Sequence, residues 1–154
     1  MMPDAFPAKK QFKLTKEDYS FLYQYMSQYP TESKFPNYLA DSTYHPTYCK
    51  FLYYGSDKNE PLDKNLRIFN KVGDAYGFLL DNAYVVDFKN QIEFMVSAVI
   101  LCNEDEIFND DLYDYDRIGY PFLKQLGQEI HGYEMKRFKK FPPMLDPLKI
   151  KYER

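Results

Sequence analysis

Leu66-Arg67-Ile68-Phe69-Asn70-Lys71-Val72-Gly73-Asp74-Ala75-Tyr76-Gly77-Phe78-Leu79-Leu80-Asp81-Asn82-Ala83-Tyr84-Val85-Val86-Asp87-Phe88 is the stretch in which the chain turns from helical to extended character. Its β-branched and aromatic residues fit a pleated, half-buried surface. Leu66–Val72 enters as a strand, and Ala75–Leu80 continues it or begins another. Asp81-Asn82 is predicted to be a turn, because Asx side chains bond their own backbone, and a second strand then runs from Ala83 to Phe88. Lys89-Asn90-Gln91 makes another tight turn into Ile92–Cys102, whose near-continuous apolar character fits a strand covered on both faces. Strands in succession joined by short polar turns predict an antiparallel meander of three strands or slightly more.

Upstream of the strands, Thr15 with Asp18 three residues later approximates a capping box, so a helix is expected over 16–29. Tyr19, Leu22, Met26 and Tyr29 form its apolar stripe, widened by Tyr23, and Pro30 ends it. Residues 30–46, with prolines at 30, 36 and 46, read as a surface loop; Tyr48–Tyr54 reads as a short helix closed by Gly55. Downstream, Pro121 opens a long helix, roughly 120–138, with Phe122, Leu126, Ile130 and Tyr133 on one stripe and Leu123 broadening it. Gly127 and Gly132 inside that helix point to close approach of its backbone to a neighbour. The tail from Phe141, with Pro142, Pro143 and Pro147, is expected to be extended. The fold class is therefore α+β: a single domain with a lead-in (1–14), a helical and loop region (15–65), the meander with its closing helix (66–138) and a tail (139–154).

At 154 residues one hydrophobic core is sustainable. Aromatics make up 19% of the chain, all from 16 Tyr and 13 Phe, which places many rings at core margins with hydroxyls left in water. The net charge is −3 with Lys and Arg interspersed among Asp and Glu, so no basic footprint for nucleic acid is expected. Cys49 and Cys102 lie far apart with no His or Cys at ligand spacing, so neither a zinc site nor a disulfide framework is signalled. Residues 104–116 hold seven carboxylates, but not in calcium-loop order and without the turn glycine; a solvated loop is expected, and no cofactor. No stretch reaches 18 uninterrupted apolar residues, so no membrane span is expected, and Met1–Phe12 lacks the apolar core of an export signal.

Asn70-Lys71-Val72-Gly73, followed by Tyr76-Gly77 and the next strand, resembles the Lys-Thr-Gly strand of class A β-lactamases and penicillin-binding proteins. The later order, another strand and a closing helix, agrees with that family's C-terminal part over roughly 66–138. The helix 16–29 and Met26–Ser33 are similar to the region that precedes this strand in a divergent bacterial group of such serine hydrolases. The resemblance implies a partial β-lactamase/transpeptidase-like fold and three site residues. Lys71 supplies positive charge, Gly73 lets substrate reach the strand backbone, and the backbone N–H of Asp74 serves as an oxyanion-hole donor. Val72 departs from the pattern, since an isopropyl group donates no hydrogen bond, and the Asp74 carboxylate repels an anionic β-lactam, so an acyl substrate other than penicillin is implied. The plain alternative for Lys71 is a surface lysine at a strand end.

The family's nucleophile, in Ser-x-x-Lys, is missing: no serine, at 20, 27, 33, 42, 56 or 97, has lysine three residues on. Thr31 with Lys34 and Thr47 with Lys50 have the spacing but the wrong residue, and Ser56-Asp57-Lys58 only partly echoes Ser-Asp-Asn. His45 and His131 lack a serine or cysteine at motif spacing and read as surface or capped histidines. The leading expectation is a catalytically incomplete hydrolase, a truncated relative or one half of a split enzyme, whose relatives are commonly exported to the periplasm. In that family other strands lie beside the counterpart of Ile92–Cys102, so a homodimer or a partner chain is expected to cover the 92–102 edge. The competing expectation is a non-enzymatic Tyr-rich module that binds protein or glycan.

Overall fold

The computed structural model describes residues 7–152. The part of the lead-in over 1–6 lies outside the described residues. Three antiparallel strands, β1 (Leu66–Ala75), β2 (Phe78–Asp87) and β3 (Ile92–Leu101), form one sheet in the order β1-β2-β3. With helices packed on it, the chain is α+β.

The register is continuous along both pairs, Leu66 opposite Asp87 through Ala75 opposite Phe78, and Phe78 opposite Leu101 through Asp87 opposite Ile92. The hairpin between β1 and β2 therefore turns at Tyr76-Gly77, with φ of 52° and 84°, the paired positive values of a two-residue I′ turn. Gly77 leaves no room for a side chain in any case, since a Cβ there would lie 2.6 Å from Asn103 Cβ. The turn expected at Asp81-Asn82 does not exist. Asp81 sits inside β2, fully buried, because its carboxylate accepts hydrogen bonds from Leu52 N–H and the Asn70 side chain. The second turn, at residues 88–91, falls where the polar triplet placed it.

Helix α1 (Lys16–Ser27) starts with the capping box read from Thr15 and Asp18: Asp18 N–H donates to Thr15 Oγ1 at 3.1 Å, and Thr15 N–H to Asp18 Oδ2 at 2.8 Å. It ends two residues earlier than expected, and Pro30 opens a separate 3₁₀ turn to Glu32. The short helix expected over Tyr48–Tyr54 is one turn, α2 (Phe51–Tyr54), with Leu52 and Tyr53 in non-helical conformations and Gly55 closing it in the left-handed region. Helix α3 (Tyr120–Lys136), entered through a π-turn at Tyr115–Gly119, crosses one face of the sheet.

Strand alternation distributes these elements between two cores. On the α3 face, Ile68, Leu79, Ala83 and Val85 pack against Leu52, Phe51 and Leu123. On the opposite face Phe69, Tyr84 and Val86 meet Tyr23 and Met26 of α1, together with Leu145 and Leu148. The tail is thus not simply extended: it forms a 3₁₀ turn at Asp146–Leu148 and buries two leucines, a role its proline content concealed.

The close approach read from the helix glycines holds for one of the two. A Cβ at Gly127 would lie 2.5 Å from Tyr53 N, so α3 touches the α2 backbone there; at Gly132 nothing comes within 4 Å. Gly132→Ala is accordingly expected to stabilise the protein by about 0.5–1 kcal/mol, because a mid-helix glycine costs backbone entropy for no packing gain. A lower midpoint in thermal or denaturant unfolding would contradict this.

Full coverage of β3 is not found. Phe94, Val96, Ala98 and Ile100 face the α3 core, but Met95, Val99 and Leu101 are 70, 63 and 51% exposed on the other face, beside Phe78 at 44%. α1 and the tail cover that face at Phe69 of β1 and at Tyr84 and Val86 of β2 but leave these β3 side chains bare, and the outer edge of β3 pairs with nothing among the described residues.

Candidate functional site

β1 is the other edge of the sheet, and its backbone polarity follows from its partners. The carbonyls of Leu66 and Ile68 accept from Tyr29 Oη at 3.2 Å and Lys50 Nζ at 3.0 Å, both beyond the sheet, so the even-numbered residues of β1 direct their backbone groups away from β2. With no bulge in the register, the Asp74 N–H also points off the edge. Val72 O, with the same parity, accepts from the neighbouring Lys71 Nζ at 2.6 Å. Lys71 lies in the middle of β1 rather than at a strand end, with its side chain on the solvent-exposed edge.

A cavity of about 310 Å³ opens along this edge. Lys71 and Val72 border it with Lys50, Cys49 and Asn70, and five tyrosines, Tyr25, Tyr29, Tyr38, Tyr44 and Tyr48, are among the residues that line its other walls. Asp74 instead borders a second, open concavity of about 480 Å³ with Tyr76, Tyr113 and Tyr115. Lys71 and Asp74 thus lie on one edge strand but face different hollows. Gly73 sits between them, and a Cβ there would meet only Leu80 side-chain atoms at 3.4 Å, so the position is tight without being closed.

The strongest electrostatic feature near this edge carries no motif in the sequence. Lys50, 4% exposed, donates from Nζ to Met26 O at 2.9 Å, Ile68 O at 3.0 Å and Asn70 Oδ1 at 2.7 Å, satisfying all three of its protons. Asn70 donates in turn to Cys49 O at 2.8 Å and to Asp81 at 3.0 and 3.1 Å. One lysine therefore ties the last turn of α1, where carbonyls lack helical partners, to the edge of β1, and its charge is balanced through Asn70 by a buried carboxylate. Burial pushes Lys50 down from 10.5 to about 7, against the pull of Asp81. Burial likewise pushes Asp81 up from 3.8 to about 6, against its hydrogen bonds from Leu52 and Asn70 and the attraction of Lys50.

These directions fix a pH dependence. Stability from Asp81 is fully present below its ordinary value of 3.8 and is lost as pH rises through about 6. Stability from Lys50 is fully present above 10.5 and is lost as pH falls through about 7. The network should therefore contribute least between those two values. Unfolding free energies of the protein and of a Lys50→Met/Asp81→Leu double variant, compared across pH, are expected to show their least favourable difference near pH 6–7; a maximum there would contradict the assignment.

The remaining motif residues are engaged elsewhere. Thr47 Oγ1 donates to Asp57 O at 2.7 Å and contacts His45 Nδ1 at 2.8 Å, so the Thr47 hydroxyl and the Lys50 amine serve separate partners. His131 is not a plain surface histidine: its Nε2 lies 3.0 Å from the buried carboxylate of Asp87, and its ring stands edge-on to Tyr53. Cys102 is buried and Cys49 half-buried, both as free thiols, and burial pushes both thiols up, away from the reactive thiolate. In the acidic loop Glu104 and Asp114 pair with Arg117, and no cluster of metal-ligating side chains forms among the described residues. Among the described residues no helix is long and apolar enough to cross a membrane. No protein-family model, curated protein or solved structure matches the chain.

Proposed function

We propose that this chain is part of a β-lactamase-like serine hydrolase, supplying one wall of an acyl-transfer cleft and inactive by itself. The observation that carries the reading is the run Lys71-Val72-Gly73-Asp74 on an outer strand of the meander, with Lys71 and Val72 beside one cavity, Asp74 beside the next hollow along the edge, and the Asp74 N–H directed off that edge. In this reading Lys71 provides the cationic field for an anionic substrate group, and the Asp74 N–H stabilises the developing oxyanion without involving its carboxylate. The nucleophile comes from outside the chain, because no serine here has lysine three residues later. The bare edge and exposed apolar face of β3 receive the additional strands, from a partner chain or a second copy. The purified chain is expected to remain unlabelled by fluorophosphonate and penicillin probes. Covalent labelling of any of its serines would refute this reading.

The five tyrosines around the cavity favour a second reading, a non-enzymatic module that stacks a glycan or a peptide there. Under that reading ligand binding should be lost on removing Tyr44 or Tyr48 yet survive Lys71→Ala, whereas the hydrolase reading requires Lys71.

A further inference from the structure

The two ends of α3 carry opposite charge. Seven carboxylates occupy residues 104–116 ahead of it, whereas Lys136, Arg137, Lys139 and Lys140 face only Glu134 over residues 133–144 at its exit. That exit segment is net +3 in a chain of net −3, so the rest of the molecule carries −6. The 17 residues of α3 hold the two regions roughly 25 Å apart. This basic segment is one that the overall balance of charges conceals.

The basic end is also apolar. Phe138, Phe141 and Met144 are 88, 75 and 77% exposed, more than most large side chains of the molecule. Lys140 lies 5.4 Å from the centre of the Phe141 ring, and Lys139 reaches the Gln91 carbonyl at 3.4 Å, so cations and rings interleave on one surface. Arg137 pairs at 2.7 Å with Glu134, the one acid of this segment, and Glu93 of β3, which accepts from Tyr84 Oη, is the one acid among the described residues bordering the hollow lined by Arg137, Lys139, Lys140 and Phe141. Cations gain from a negatively charged surface within a Debye length, and bare phenyl and thioether groups gain by entering an acyl boundary. Nucleic acid would use the cations but leave three large apolar groups without a role.

We propose that residues 136–144 form a peripheral docking site for an anionic lipid surface, with α3 standing so that the acidic loop faces away from it. The charge separation along α3 fixes this orientation, because a molecule of overall negative charge is repelled in any other.

Vesicle flotation of the full chain, with phosphatidylcholine alone and with added phosphatidylglycerol, tests the proposal. Binding is expected only to the anionic vesicles and should weaken with salt. The triple change Lys136→Gln, Lys139→Gln and Lys140→Gln should lower partitioning on the order of 100-fold. Phe138→Ser with Phe141→Ser should lower it as well, with the unfolding midpoint unchanged. Failure to bind, equal binding to neutral vesicles, or indifference to these variants would overturn the proposal. So would salt-sensitive association of the chain with itself in the absence of vesicles, the sign of an acidic-end to basic-end contact, or lysine-dependent retention by duplex DNA without vesicle binding.

Discussion

Replacing Lys50 with methionine is expected to lower the unfolding free energy at neutral pH by about 3–5 kcal/mol, which for a chain of this size is a fall of roughly 10 °C in Tm. Methionine matches the lysine in length and apolar character, so the stem contacts survive and the loss isolates the ammonium. Four groups lose their partner, directly or through Asn70: the carbonyls of Met26 and Ile68, the Asn70 amide oxygen, and the Asp81 carboxylate, which stays buried without a balancing charge. Removing Asp81 in the same molecule should restore part of the stability, because two apolar side chains in place of a buried pair cost less than one orphaned charge. A double-mutant cycle by chemical denaturation measures this coupling. Additive effects of the two changes would show that the network does not act as a unit.

A second large effect is expected at Gly127. Leucine there must occupy the space in which a bare Cβ already comes within 2.5 Å of Tyr53 N and 3.0 Å of Tyr53 Cα. The obstruction is backbone, which has no rotamer in which to retreat, and overpacking of this kind costs about 3 kcal/mol. Relief requires α3 to lift from α2, yet α2 is anchored through Leu52 N–H, 3.0 Å from Asp81 Oδ2. The two sites are therefore linked: Gly127→Leu should also loosen the buried network, detectable as faster hydrogen exchange at the Leu52 amide. An unchanged midpoint would mean that the helix does not approach the turn as closely as described.

The sheet was legible in the sequence because its strands are long, β-rich and bounded by Gly, Asn and Asp. Its first turn was misplaced because local chemistry and tertiary chemistry compete at Asp81: Asx residues favour turns, but a carboxylate offered a backbone N–H and an amide in the interior is held within a strand. Tyr76-Gly77 lacks the Asn-Gly signature, and only its position between the two registers marks it as the hairpin. Alternate exposure along β3 was hidden for a different reason, since an apolar residue reads the same whether its cover lies in this chain or in another.

At the site, the motif points to Lys71, Gly73 and Asp74, which lie on one strand edge without Lys71 and Asp74 sharing one hollow. Motif spacing marks Lys50 only as a partner of Thr47, three residues before it. The signal that was available is its position directly ahead of Phe51-Leu52, where a lone cation entering an apolar run needs several acceptors to be buried. Those acceptors, two backbone carbonyls from α1 and β1 and one amide, come from segments that sequence periodicity cannot bring together.

Fluorophosphonate labelling of this chain, co-expressed with the polypeptide encoded directly upstream in its gene neighbourhood, tests the hydrolase reading most directly. The expected result is a label on the serine of a Ser-x-x-Lys turn in that polypeptide, present only when both parts are together and abolished by Lys71→Ala. A label on a serine of this chain, or one that persists without Lys71, would contradict it.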